Sequence, residues 1–209
     1  MSVCYIVGAG DFSGEIKPCE EDLVIAADGG YKALISHGVR CDLLIGDLDS
    51  LSSAPSGLEF IRFPKEKDDT DSFLAYKEGV RRGFSEFRLY GCGGGREDHS
   101  FANYSLLLHA AENGRHALLC GKGQICFVLT GGEAILSGNT GDYFSVFAFG
   151  GEAKGVCING AKYEAKDVTL TPDFPLGVSN SFKGENAFVS VKEGALLVIA
   201  YTDTPPRFT

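Results

Sequence analysis

Several short motifs by which enzymes are recognised are missing from this chain of 209 residues. It has no G-x-x-x-x-G-K-[ST] phosphate loop, no G-x-S-x-G nucleophile elbow and no Cys/His pair with local motif support. Gly8-Ala9-Gly10 lacks the later glycine of a dinucleotide fingerprint and has Phe12-Ser13 where a helix would have to start. Positive charge is scarce, with 19 Lys and Arg against 28 Asp and Glu and a net charge of -9. An acidic surface repels nucleic acid and anionic membranes, so neither is an expected partner. An anionic substrate would then need local cations or a metal. No apolar stretch approaches the ~20 residues of a membrane span. The opening MSVCYIVGAG lacks a basic n-region and breaks at Gly8 and Gly10, so it reads as a first strand and not a signal peptide. The seven cysteines are odd in number and include no C-x-x-C pair. They read as reduced thiols, not as disulfides or a structural zinc site. The expected location is the cytoplasm.

Hydrophobic residues make up 44% and charged residues 22%, ordinary for a globular protein. A chain of this length buries roughly 70% of its unfolded surface and needs no staples. The 28 glycines point to many turns or close backbone approaches. The first half alternates apolar runs with helical periodicity. Strands are expected at Val3–Val7, Leu23–Ala27, Leu43–Ile45, Phe60–Phe63 and Phe87–Tyr90, and a short helix at Tyr31–His37. Longer helices are expected at Thr70–Gly83, with Thr70 or Asp69 as N-cap, and at Asp98–Asn113, carrying Phe101, Tyr104, Leu107 and Leu108 and stopped by Gly114. This alternation implies a mostly parallel α/β sheet with helices on both faces. From Ala117 onward, short apolar runs separated by Gly, Asn and Pro suggest a C-terminal antiparallel β-sandwich without helices. The closing TDTPPRFT reads as a frayed tail or an edge segment. The expected boundary divides the chain into 1–118 and 119–209.

Carboxylates carry the functional signal. Asp28 follows the second strand, Asp47 and Asp49 the third, Asp68, Asp69 and Asp71 the fourth, and Asp98 the fifth. In a parallel α/β sheet these loops share the carboxyl edge, where ligands bind. One such aspartate alone is usually a helix cap or a turn residue. Four segments delivering them to one rim is another matter, because crowded carboxylates repel unless a cation neutralises them. Mg²⁺ suits such oxygen donors together with phosphate. Gly91-Cys92-Gly93-Gly94-Gly95-Arg96 offers backbone N–H groups and a guanidinium to phosphate, with Asp98 and His99 close by. Lys65 and Lys67 flank the other acidic cluster; Lys67 is the better phosphate candidate.

Taken together, Ala27-Asp28-Gly29-Gly30, Gly46-Asp47-Leu48-Asp49-Ser50, Lys67-Asp68-Asp69-Thr70-Asp71, Gly94-Gly95-Arg96-Glu97-Asp98-His99 with Asn103, and Gly177-Val178-Ser179-Asn180-Ser181-Phe182 resemble the thiamine pyrophosphokinase family. The resemblance implies an α/β nucleotide-binding catalytic domain followed by a β-sandwich that binds thiamine and dimerises. It also implies transfer of the pyrophosphoryl group of Mg-ATP to the thiamine hydroxyl, with release of AMP. By position, Asp47, Asp49 and Asp71 would hold Mg²⁺. Asp28, Lys67, Asp69, Arg96, His99 and Asn103 would line the nucleotide and phosphate site. Ser179 and Asn180 would seat thiamine from the partner subunit of a homodimer. Asp71, Asp98 and Arg96 would act on the reacting groups, with Asp71 or Asp98 taking the hydroxyl proton. The tryptophan that eukaryotic members place against thiamine is absent, since the chain has no Trp. Phe182 could take its place or pack in the sandwich core. Two other readings stay open: a Mg-nucleotide transferase acting on another small alcohol, and a non-catalytic thiamine or nucleotide sensor.

Overall fold

The computed structural model describes residues 2–13, 16–46, 57–64 and 68–209. The chain forms two compact units, residues 1–106 with 114–122, and residues 107–113 with 123–209.

The first unit contains β1 (Val3–Val7), β2 (Leu23–Ala27), α1 (Gly30–Ser36), β3 (Leu43–Gly46), β4 (Glu59–Arg62), α2 (Asp71–Arg81), β5 (Glu86–Tyr90), most of α3 (Glu97–Glu112) and β6 (His116–Gly121). Its strands lie in the order β6-β5-β1-β2-β3-β4, each parallel to its neighbour. The expected α/β class is observed.

Side chains alternate between the two faces of this sheet. Tyr5 and Val7 of β1 join Val24, Ala26 and Leu44 in a core closed by Leu34 of α1. Cys4 points the opposite way, toward α2: a methyl group on Gly79 would lie 2.9 Å from the Cys4 Sγ and 2.7 Å from the Phe87 ring. Helices therefore cover both faces, which is why β2 reads LVIAA and is buried along its whole length.

Helix starts follow local chemistry. A Cβ on Gly30 would lie 1.8 Å from the Val7 carbonyl oxygen, so only glycine lets α1 begin over the end of β1. Thr70 is the N-cap of α2, its hydroxyl accepting from the Phe73 N–H at 3.2 Å, and Asp71 in the first turn complements the helix dipole. The far end of α2 is tied by Glu78, which accepts from Arg81 and Arg82, while Arg82 also reaches Glu59 of β4. The Arg81 guanidinium, helped by Arg82, holds the largely buried Glu78 carboxyl down at about 2.

In α3, Leu106, Leu107 and Ala110 are buried, whereas Phe101 is 64% exposed. The buried position on that turn is taken by Asn103.

The second unit adds β7 (Gln124–Leu129), β8 (Glu133–Ser137), β9 (Tyr143–Ala148), β10 (Ala153–Asn159), β11 (Ala165–Leu170), β12 (Asn180–Ser181), β13 (Asn186–Ser190), β14 (Leu196–Ala200) and β15 (Arg207–Phe208). Its strands form two antiparallel groups, β12-β9-β14-β7 and β11-β10-β13-β8-β15. Phe127 of β7 meets Phe208 of β15 edge to face at 5.4 Å, joining the two groups. The closing segment is thus an edge strand and not a frayed tail. Phe182 is 2% exposed and packs on Phe144 at 5.1 Å, so it is a core residue of the sandwich.

All seven cysteines are free: Cys4, Cys92 and Cys126 are buried and Cys19 is exposed. Among the described residues no helix is long and apolar enough to cross a membrane.

Candidate active site

Chain order in the first unit runs outward from β1 through β2, β3 and β4, then resumes on the other side of β1 with β5 and β6. Loops leaving β1 and β5 part in opposite directions, and the crevice between them is the usual ligand position in such sheets. A cleft of about 400 Å³ opens there. It is lined by Gly8-Ala9-Gly10 after β1, Ala27-Asp28 after β2, and Gly91, Cys92, Gly93 and Gly95 after β5. Thr70, Asp71 and Ser72 from the start of α2 complete it, with Arg96, His99, Ser100 and Asn103 beside and within α3.

The two glycine loops touch backbone to backbone. Gly8 donates to the Tyr90 carbonyl and Gly10 to the Gly91 carbonyl, both at 2.8 Å. A Cβ on either Gly8 or Gly10 would lie 2.7 Å from the Gly91 oxygen, and Gly91 itself has φ of +60°. Gly8-Ala9-Gly10 is thus a wall of the cleft, though no dinucleotide fingerprint. Sequence reasoning discounted it for lacking a third glycine; its position directly after the first strand was the available signal. Thr70, Ser72 and Ser100 were also missed as lining residues, because hydroxyl residues at helix starts look like ordinary caps.

Asp28 stands at the carboxyl end of β2 with φ of +47°. Aspartate tolerates this left-handed conformation better than most residues, though it still costs roughly 1 kcal/mol. The Asp28 N–H donates to the Ile45 carbonyl at 2.8 Å, fixing the turn against the end of β3. Asp71 lies half-buried in the first turn of α2 and, with Asp28, supplies the carboxylates of the cleft lining.

Other expected residues have visible partners. Asp69 accepts from the Lys77 Nζ at 2.7 Å, and Asp68 is exposed. Arg96 grips Asp98 with two hydrogen bonds, Nε to Oδ1 at 3.1 Å and Nη2 to Oδ2 at 2.6 Å, and the His99 N–H adds a third to Asp98 at 3.0 Å. The Arg96 guanidinium therefore holds the Asp98 carboxyl below its ordinary value. His99 is an exposed part of the cleft wall. Asn103 is 4% exposed, and its amide is engaged at both ends: Nδ2 donates to the Cys92 carbonyl at 2.6 Å and Oδ1 accepts from Ser72 at 2.9 Å. It ties α3 to the glycine loop and to α2. Asp47, Asp49 and Lys67 lie outside the described residues.

In the second unit, Ser179 is exposed with φ of +56°, and its N–H donates to the Ser145 hydroxyl at 3.1 Å. Asn180 is 4% exposed. Its Oδ1 accepts from the Tyr163 and Ser181 N–H groups at 3.0 and 2.9 Å, and its Nδ2 donates to the Tyr163 carbonyl at 2.7 Å. Exposed Phe174, Leu176 and Val178 precede this pair in sequence.

Two family models match the chain in succession: "Thiamin pyrophosphokinase, catalytic domain" over residues 19–119 and "Thiamin pyrophosphokinase, vitamin B1 binding domain" over residues 134–196. A thiamine pyrophosphokinase of Bacillus subtilis (strain 168) is 25% identical over 193 residues, covering 88% of this chain and 89% of that protein. The crystal structure of a thiamin pyrophosphokinase from Geobacillus thermodenitrificans superposes with a TM-score of 0.84 at 26% identity, covering 97% of this chain and 98% of that one. That of the Bacillus subtilis protein gives a TM-score of 0.86 at 22% identity, covering 98% and 100%. With both of its domains matched in order, the chain belongs to the thiamin pyrophosphokinase family.

Proposed function

We propose that this protein forms thiamine diphosphate by moving the pyrophosphoryl group of ATP, used as Mg-ATP, to the hydroxyl of thiamine, with AMP as the second product. The observation that carries this reading is the cleft at the switch point between β1 and β5, whose lining, apart from Gly8-Ala9-Gly10, comes from the segment matched by the catalytic-domain model. Such a transfer needs positioning and charge neutralisation more than a covalent nucleophile, which suits a cleft of glycine loops, carboxylates and one guanidinium.

The thiamine oxygen bonds to Pβ, the bond from Pβ to the oxygen bridging it to Pα breaks, and the hydroxyl proton passes to a carboxylate. Asp71 and Asp98 are the two candidate acceptors, and the Arg96 guanidinium makes Asp98 a weaker base than a free carboxylate. Arg96 would meet phosphate, and the N–H groups of the Gly91–Gly95 loop can approach it closely. Asn103 serves the site by holding its walls together. Asp71 presents the kind of hard oxygen donor Mg²⁺ prefers, with Asp28 beside it in the nucleotide site, and protein carboxylates plus phosphate suit that ion. Asp47 and Asp49, which follow β3 in sequence, are the other proposed ligands, and Lys67 and Asp69 further members of the nucleotide site. When bound, the ion would neutralise charge on the polyphosphate.

Residues 1–118 would form the catalytic domain and 119–209 the thiamine-binding and dimerisation domain. Ser179 would contact thiamine, with Asn180 shaping its loop, and the exposed Phe174, Leu176 and Val178 support burial against a second copy. A monomeric mass in solution would remove the homodimer from this reading. Seven free thiols support a cytoplasmic location.

Protein mixed with Mg-ATP and thiamine should yield AMP and thiamine diphosphate in equal amounts. ADP with thiamine monophosphate would overturn the reaction type, and absence of turnover would overturn the enzyme assignment.

A further inference from the structure

Among the described residues, the cleft is short of positive charge for a polyphosphate. Among the described residues lining it, Arg96 alone carries a permanent cation. The glycine loop has another beside it. β5 lies between β1 and β6 in the sheet, and an ion pair arches over its carboxyl end: Asp11, from the loop after β1, accepts from the Lys122 Nζ, just after β6, at 2.7 Å.

The Lys122 backbone is fixed, its N–H donating to the Ser13 hydroxyl at 2.7 Å. Its side chain lies over the glycine loop, where a methyl group on Gly94 would sit 3.3 Å from the Nζ. Gly93 and Gly95, on either side of Gly94, line the cleft. An anion seated on the N–H groups of this loop would be within reach of the ammonium. The partner that holds Lys122 is easily exchanged. Both side chains are more than half exposed, at 56% for Lys122 and 68% for Asp11, and exposed ion pairs are weak.

We propose that Lys122 is a phosphate-binding residue of the nucleotide site, its ammonium leaving Asp11 for the polyphosphate when nucleotide binds over the Gly93–Gly95 loop. This rests on the reading of the cleft as an ATP site. The backbone anchor sets where the lysine stem emerges, and the ion pair with Asp11 keeps the ammonium beside the loop in the absence of ligand.

The test uses the full chain and measures binding of α,β-methylene ATP and of adenosine to wild type, Lys122→Gln and Asp11→Asn. Lys122→Gln should bind the ATP analogue about twofold to fivefold more weakly with adenosine affinity unchanged, the scale of one exposed charge contact. In turnover, the KM for ATP should rise with kcat unaffected, as for an interaction made equally in ground and transition states. Asp11→Asn should bind the analogue at least as tightly as wild type, since it releases the ammonium. The proposal is overturned if Lys122→Gln binds the analogue normally, if it loses adenosine equally, or if Asp11→Asn is weakened as much as Lys122→Gln. The last result would make the pair a structural clip. Normal wild-type turnover with an unchanged KM in Lys122→Gln removes Lys122 alone; a wild type that binds neither ligand removes the ATP site with it.

Discussion

The two units handle polar side chains in opposite ways. In the first, parallel strands are buried on both faces, so polar groups are pushed to the strand ends and gather along one edge. Asp28 and Asp71 stand there half-buried around the cleft. In the second, strands such as β8 and β13 alternate between core and solvent, and the polar residue most suggestive of function, Asn180, is buried and bonded to the backbone of residues 163 and 181. A polar side chain in a candidate motif can therefore serve chemistry in one unit and architecture in the other. Asn103 shows that the division is not absolute, since in the first unit it does the same backbone-tying work as Asn180.

The sharpest way to break this contrast is at Asp71. Asp71→Asn keeps the shape of the first turn of α2 and removes the charge and a candidate proton acceptor. Turnover should fall on the order of a hundredfold to a thousandfold, with the thermal midpoint nearly unchanged. Steady-state rates and a melting curve decide it; retained turnover would move Asp71 out of the chemistry. Asn180→Ala should do the reverse by stranding the Tyr163 and Ser181 backbone groups. We expect roughly 3 kcal/mol of lost stability by chemical denaturation. A variant as stable as wild type, yet inactive, would make Asn180 a substrate contact and erase the contrast.

The smallest effect tests polar burial away from the site. Glu78→Gln should cost about 2 kcal/mol at pH 7, since the two arginines lose a carboxylate partner. The folded-state value is depressed, to about 2 from an ordinary 4.5, so the contribution is present above the unfolded value and is lost as pH falls toward the folded one. Wild type and variant should therefore converge in stability between about pH 4.5 and 2. A gap independent of pH would mean that packing, not charge, supplies the effect.

Much of this was legible in the residues. Apolar runs locate β1, β2, β3 and β7 because burial on both faces leaves continuous hydrophobic sequence. Helix α2 is legible from its periodicity and its cap, with Thr70 taking the role over Asp69. Less legible was β11, whose AKDVTL is mostly exposed and pairs with β10 through register shifts. Strand β12 has two residues and is defined by its partner β9. At the site, the positions of Asp28, Asp71 and Arg96 follow from their place after strands and at helix starts. The bonding of Asn103 and Asn180 does not, because it depends on backbone groups brought near only by folding. Lys122 escaped notice for the same reason, as its neighbours Asp11 and Gly94 come from two other loops.

The spread of the cysteines between core and surface has a practical consequence for labelling. Burial pushes the thiols of Cys4 and Cys92 up to about 12, whereas Cys19 is the exposed one. Thiol-directed reagents attack the accessible thiolate, so a maleimide dye should mark Cys19 first. The loop carrying it is held by Arg40, which donates to the carbonyls of Pro18, Cys19 and Asp22. The wild-type chain thus offers a preferred, anchored attachment point for a fluorophore at Cys19, with the half-buried Cys41, Cys120 and Cys157 as slower competitors.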